Sequence, residues 1–278
     1  MRRQMIRKAG TALFYATVTV MAIFTLLPFA WMLSSSFKSA ETIRTLPIRF
    51  IPEHPSLEGY HQVFQTTSFS FPRAAFNSLF FAFAHTAVSV ASATMAAFIF
   101  AKVPFRGSDK LFLLFLATMM IPETVRMVPN YVVLRHLRLL DTFTGLILPA
   151  LSNAFGVFLM RQAMMTIPDS YLESAFLDGA SLRRIFAQIL LPMVMPTLAT
   201  LILLSFMGAW NSYLWPLIVL SSNEKQTLQV VLGNMNGQYK SKEHVVMAGA
   251  VLTILPVLCV YLCAQRYVDA GIAVGGLK

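Results

Sequence analysis

The chain has 278 residues, of which 56% are hydrophobic and only 12% charged, with a mean hydropathy of +0.65. Soluble domains carry about 25% charged residues, so this composition excludes an ordinary soluble domain and points to an integral membrane protein. The formal net charge of +10 falls mostly between apolar runs, which assigns it to orientation in a bilayer rather than to nucleic-acid binding.

A run of ~20 apolar residues crosses the hydrocarbon core, and six candidates follow one another. The first, about 10–33, stands behind the basic MRRQMIRK and is too long for the apolar region of a cleavable leader. A mixed segment, 38–73, carries Pro47, Pro52, Pro55 and Pro72. The second span, 74–101, contains His85, which reads with Ser89, Ser92 and Thr94 as polar groups that pack helices together. After the basic loop KVPFRGSDK, the third span, about 110–134, is interrupted by IPETVRMVP and is expected to kink. The fourth lies at about 144–162. The fifth, about 196–220, includes AWNSYLWPLIVL, and the sixth lies at about 245–266. The expectation is one polytopic domain over 1–278.

Six spans place both termini on one side. With the N-terminus inside, the inner segments hold twelve basic residues and the outer segments nine. The longer outer loops count for less and the first helix usually dominates, so both termini are expected in the cytoplasm.

Between the fourth and fifth spans, a loop of about 163–195 is the longest amphipathic stretch. It reads as two short helices and a turn. Pro168 suits a first helical turn, and Ser170 and Glu173 have capping-box spacing. Leu172, Ala175, Phe176 and Gly179 form one stripe, with Glu173 and Asp178 off it. Gly179 ends the first helix at positive φ. Ser181 caps the second, which carries Arg183 and Arg184 and is ended by Pro192. A short helix with one apolar and one charged face wants a partner.

Catalytic constellations are missing from the sequence: no HExxH, GxSxG, phosphate-binding loop or clustered cysteine–histidine pair occurs. The reading is a non-enzyme without a metal site, and energy for any transport comes from a gradient or from another chain. Cys259 and Cys263, one helical turn apart, read as small buried hydrophobes. Polar residues inside spans are costly and mark paths or helix contacts. Glu123 and Arg126 either pair with each other at i, i+3 or contact a substrate. Asn130 and Asn153 could line the same path, as could Trp210, Asn211 and Tyr213, whose aromatic and amide groups suit sugars. Trp215 is assigned to the interfacial aromatic belt.

Glu173-Ser174-Ala175, three residues, Gly179, nine residues, Ile189, one residue and Leu191-Pro192 closely resemble the EAA motif of ABC importer permeases, with serine at the motif's second position. Asp178–Ser181 (DGAS), IPETVRMVPNY, GLILPALSNAFGVFLMRQ, WNSYLWPLIVL and the tail AGIAVGGLK are similar to the MalG-like branch of carbohydrate importers. The resemblance covers roughly residues 10–278. It implies an all-α membrane protein with six transmembrane helices and a cytoplasmic helix-turn-helix coupling loop, the type I ABC importer permease fold, in the bacterial cytoplasmic (inner) membrane.

The resemblance also implies roles. The coupling helix docks into a cleft of an ATPase subunit, with Leu172, Ala175 and Phe176 as buried anchor. Glu173 meets a basic group, Asp178 belongs to the same surface and Gly179 sets the angle of the second helix. A pair of ATPase subunits holds ATP and Mg, and this chain binds no cofactor. The remaining implied partners are a second homologous permease chain and an extracytoplasmic solute-binding protein, which would face 38–73 and 221–244. The tail at 271–278 would reach the ATPase surface. The branch resembling glycerol-phosphate permeases tends to have a basic residue at the position of Arg126, and an arginine facing the path would favour an anionic sugar, a glycerol phosphate or a uronate. The residues alone leave open a stand-alone secondary transporter or channel, or a membrane scaffold. The former needs a coupling-ion site or inverted repeats, and neither is visible.

Overall fold

In the computed structural model, residues 2–43, 49–66, 69–238 and 242–275 are described; they contain helices and no strand. Three helical stretches are long and apolar enough to cross a bilayer, Gly10–Ser36, Phe71–Lys102 and Glu243–Cys263. Three bent pairs bring the number of possible spans to six. Arg44 and Lys240 of the charge count, and the end of the tail at 276–278, lie outside the described residues.

Proline chemistry sets the breaks. Helix α1 covers Arg2–Ser36 and α2 covers Glu58–Gln65. Helix α3, Phe71–Lys102, starts with Pro72 in its first turn and stops where Pro104 forces Val103 into extended backbone, φ −106° and ψ 110°. Helix α4 (Ser108–Ala117) continues as a tight turn to Met120; Pro122 then holds Ile121 extended, and α5 (Glu123–His136) leaves at 101°. Helices α6 (Phe143–Ile147) and α7 (Ala154–Met165) belong to the second bent pair, turned by 42°. Helix α8 is Ser170–Leu177, and α9 is Leu182–Met193. The chain turns 84° into α10, Met195–Trp210. The fifth span, expected to run on to 220, stops at Trp210 and restarts as α11, Leu214–Val219. Pro216 lies in the first turn of α11, where a missing N–H costs nothing, and it would break a helix arriving from α10. Helix α12 is Leu228–Gln238 and α13 is Glu243–Gly275. Cys259 and Cys263 on α13 are exposed rather than buried, beside the equally exposed Leu258 and Leu262.

Two compact units divide the chain, residues 1–68 with 232–254, and residues 69–231 with 255–278. In the first, Lys38 leaves the end of α1, lies 3.8 Å over the Trp31 ring and donates to the Arg49 carbonyl at 2.7 Å. Ser36 and Tyr60 share a hydrogen bond of 2.8 Å, and Gly59 packs directly on the His244 backbone.

In the second unit, α3 runs through the middle and packs against α7 and α10. Its contact with α7 is close because residue 156 is glycine: a Cβ there would stand 2.9 Å from that of Ala93. Asn153 caps α7 by accepting from the Gly156 amide at 2.8 Å and donates to Ser89 of α3 at 2.7 Å. Towards one end, Ala93, Ala97, Phe98, Met160, Met164 and Ile185 form an apolar core.

Candidate functional site

Two regions of the second unit combine chemistry with position. The first is a cavity of about 430 Å³ lined by several helices and by the turn after α6. Helix α3 contributes Phe81, His85 and Ser89. The bent α4–α5 pair contributes Thr118, Glu123, Arg126 and Asn130. Asn153 enters from the start of α7, Ser205 and Gly208 from α10, and Trp215 from α11. Glu123, Arg126, Asn130 and Asn153, which the sequence reading sets along one path, share one cavity.

Glu123 and Arg126 form no ion pair among the described residues. Glu123 is exposed, and the buried Nε of Arg126 has no hydrogen-bond partner. Three of the proposed residues lie elsewhere. Trp210 is 2% exposed and stacked on Phe206, ring centroids 6.1 Å apart, in helix packing. Asn211 and Tyr213 are exposed in the break between α10 and α11 and do not line the cavity. Trp215 lines the cavity instead. It is buried and donates from Nε1 to the Leu146 carbonyl at 3.2 Å within the cavity wall. His85 and Ser89, read from sequence as packing groups, also line the wall. Their spacing of four on one helix face was the available signal.

The second region is the loop from Ile167 to Pro196. Helix α8 ends in a Schellman motif: the Gly179 amide donates to the Phe176 carbonyl at 3.0 Å, and Ala180 donates to Ala175 at 2.9 Å, with Gly179 at φ +75°. Ser181 accepts from the Arg184 amide at 3.4 Å and caps α9. The expected capping box between Ser170 and Glu173 is not formed. Residue 169 occupies the N-cap, and Ser170 already lies inside the helix, with its carbonyl accepting from the Ser174 hydroxyl at 2.8 Å.

The apolar stripe divides in a way that sequence did not reveal. Leu172 and Ala175 are buried in the chain's own core with Met164, Ile167, Ile185 and Leu190, so they are not available as anchor for another chain. Phe176 remains on the surface, joined by Tyr171 and by Leu177, which is 89% exposed. Glu173 and Asp178 are exposed beside them. Below this knob, the nearly buried Lys102 at the end of α3 donates to the Ile167 carbonyl at 2.6 Å and to Asp169 at 2.5 Å. Arg161 of α7 bonds the Phe100 carbonyl and Asp109 and lies 4.1 Å from the Phe112 ring centroid. Sequence reasoning counted Lys102 only as a loop charge; its place at the end of a charge-free run was the signal.

Asp141 is a further residue that sequence reasoning missed. It sits at φ +55° between α5 and α6, where aspartate tolerates the left-handed region. Its carboxylate accepts from the Ser221 and Ser222 amides, the Ser222 hydroxyl and Lys225 at 2.5–3.0 Å. Partial burial pushes the carboxyl up, but Lys225, the Ser222 hydroxyl and the two amides outweigh it and hold it far below the usual carboxylate range. The segment so tied is also held to α3: Asn77 donates to the Glu224 and Gln226 carbonyls, and Ser78 accepts from the Leu228 amide. Among the described residues no group of three or more histidine, cysteine or carboxylate side chains could hold a metal ion.

The model of the family described as binding-protein-dependent transport system inner membrane component matches residues 89–274. The arabinooligosaccharides transport system permease protein AraQ of Bacillus subtilis (strain 168) is 32% identical over 272 residues, covering 98% of this chain and 96% of the relative. The sn-glycerol-3-phosphate transport system permease protein UgpE of Shigella flexneri serotype 5b (strain 8401) is 32% identical over 232 residues, 81% of this chain and 83% of the relative. Among solved structures, a chain of a bacterial ABC transporter involved in the import of the acidic polysaccharide alginate is similar with a TM-score of 0.82 at 27% identity. That match covers 94% of this chain and 96% of the other.

Two expectations follow from the geometry. Leu172→Ala leaves a hole in the core and costs about 2–5 kcal/mol, whereas Leu177→Ala stays within about 0.5 kcal/mol; thermal unfolding of the purified chain in detergent distinguishes them. Asp141 has a depressed folded-state pKa, so its contribution is complete above the unfolded value of about 3.9 and fades as pH falls towards the folded value. Asp141→Asn is expected to cost about 1–2 kcal/mol near neutral pH. The gap to wild type narrows below about pH 4; melting curves across pH measure it.

Proposed function

The chain belongs to the family of binding-protein-dependent transport system inner membrane components, and from that premise we propose that it is the permease subunit of an ATP-binding-cassette importer for a carbohydrate or sugar derivative, with an anionic ligand favoured. The fold is that of type I importer permeases. The observation that carries the ligand reading is Arg126: it lines the cavity, makes no ion pair among the described residues, and its buried Nε has no hydrogen-bond partner. An unpaired guanidinium in a low-dielectric wall is costly alone and favourable beside a carboxylate or phosphate, which it grips with a planar fork. Asn130, Asn153 and Ser205 offer partners for hydroxyls, and Trp215 offers a flat face for a sugar ring. The names of the relatives concern an arabinooligosaccharide, a glycerol phosphate and an acidic polysaccharide; two of these three ligands are anionic, and the arabinooligosaccharide is neutral.

Coupling follows from the knob on α8. Tyr171, Phe176 and Leu177 are the apolar contacts offered to an ATPase subunit, with Glu173 and Asp178 at their edge to meet basic groups. The ATPase pair supplies ATP and Mg; this chain supplies the path and the lever. A second permease chain would complete the path. Both termini lie in the cytoplasm of this reading, the membrane is the bacterial inner membrane, and a solute-binding protein delivers the ligand from outside. The short segments between α5 and α6 and between α11 and α12, tied by Asp141, lie on that outer side.

The test uses the tagged chain with its transport partners. Wild-type chain is expected to co-purify with an ATPase, and the double variant Phe176→Asp, Leu177→Asp to lose that association at least tenfold while remaining folded. In uptake assays, Arg126→Met should lose the preference for anionic over neutral ligands. Equal handling of both by wild type and variant would refute the ligand reading, and failure to bring down any ATPase would refute the importer reading.

A further inference from the structure

Helix α3 is unbroken from Phe71 to Lys102. It carries His85 and Ser89 in the cavity wall and ends on Lys102 beside the coupling helix. At 1.5 Å per residue Lys102 lies about 20–25 Å along the helix from that wall. Segment 167–178 touches the rest of its unit mainly through apolar side chains, Leu172 and Ala175 against Met164, Ile185 and Leu190. Such contacts resist separation but are non-directional and tolerate sliding. Lys102 differs. Its side chain is 4% exposed, and two of its three N–H groups are committed, to the Ile167 carbonyl and to Asp169. These are the hydrogen bonds that join that segment to α3 among the described residues. Both acceptors precede α8 by no more than three residues, so they fix the root of the helix rather than its tip. An ammonium taken out of water is unfavourable unless paired, and an apolar residue at position 102 would pack with less cost. Packing alone therefore does not account for a lysine there.

We propose that Lys102 is a positioning residue that makes the root of the coupling helix move with α3, so that displacement of α8 by the ATPase reaches the His85–Ser89 wall of the cavity as a rigid-body motion instead of being absorbed by sliding of the apolar contacts. The inference rests on the importer reading above. It concerns where the lever is joined to the path, not whether an ATPase binds. Lys102 touches neither the ligand nor the exposed knob.

The complete transporter, reconstituted in liposomes with its ATPase and loaded binding protein, tests it by measuring ATP hydrolysis and uptake in the same vesicles. Lys102→Met is expected to assemble with the ATPase and to keep basal hydrolysis within about twofold, because the knob is intact. Uptake per ATP hydrolysed should fall at least tenfold. Lys102→Arg, which retains a buried donor for both oxygens, should recover most of the loss, a rescue that lost packing alone would not give. Where Lys102→Met does not fold, Asp169→Asn serves: it weakens the ion pair, leaves the Ile167 bond and should lower the ratio several-fold. A wild-type ratio in Lys102→Met, or in Asp169→Asn where that is the variant measured, overturns the proposal while the importer reading stands. Absence of any ATPase association in wild type overturns the importer reading itself.

Discussion

The contact on which the second unit depends is that between α3 and α7. Helices in lipid gain little from hiding apolar surface from one another, since the tails around them are equally apolar; they associate through close packing and interhelical hydrogen bonds. Gly156 and Ala93 supply the first, because no side-chain atom at 156 stands between the backbones, and Asn153 with Ser89 supplies the second. Asn153 also caps its own helix, so one amide fixes both where α7 starts and how it faces α3. The cavity lies where the paired helices meet the bent α4–α5 pair, and the coupling helix hangs from the core at the other end of α3. A shift in that contact changes both.

What could be read from sequence divides along physical lines. Local backbone chemistry was legible: Gly179 at positive φ, Ser181 as a cap, and the turn before Pro122 follow from what those residues permit over a few bonds. The family was legible because the motif's spacing is long and specific, and the cavity residues on α5 were legible because charge is costly in an apolar run. The direction of an apolar stripe was not. Leu172, Ala175 and Phe176 share one arc of a helical wheel, yet the core takes the first two and leaves the third, with Leu177, outside. Whether a stripe faces the chain's own core or a partner depends on what lies opposite in space. The same limit explains Trp210 and Trp215. Both are aromatic residues near a helix end, and only the break at 211–213 turns one into packing and the other into the cavity wall.

Charges near apolar segments complete the picture, because each has to be compensated and the manner of compensation distinguishes its role. Asp141 is compensated by two amides, a hydroxyl and Lys225, and Lys102 by a carbonyl and Asp169. Such groups hold the fold in one arrangement, and their cost is met wherever the protein is folded. Arg126 is compensated by neither a carboxylate nor a carbonyl among the described residues. In the proposed reading that guanidinium is left for an acceptor that enters the cavity. Compensated charges fix geometry, whereas an uncompensated one leaves interaction energy available for binding. Under the proposed ligand reading, a ligand that binds more tightly to the state in which Arg126 and the hydroxyl partners bear on it together can shift the conformational equilibrium only by that difference in affinity.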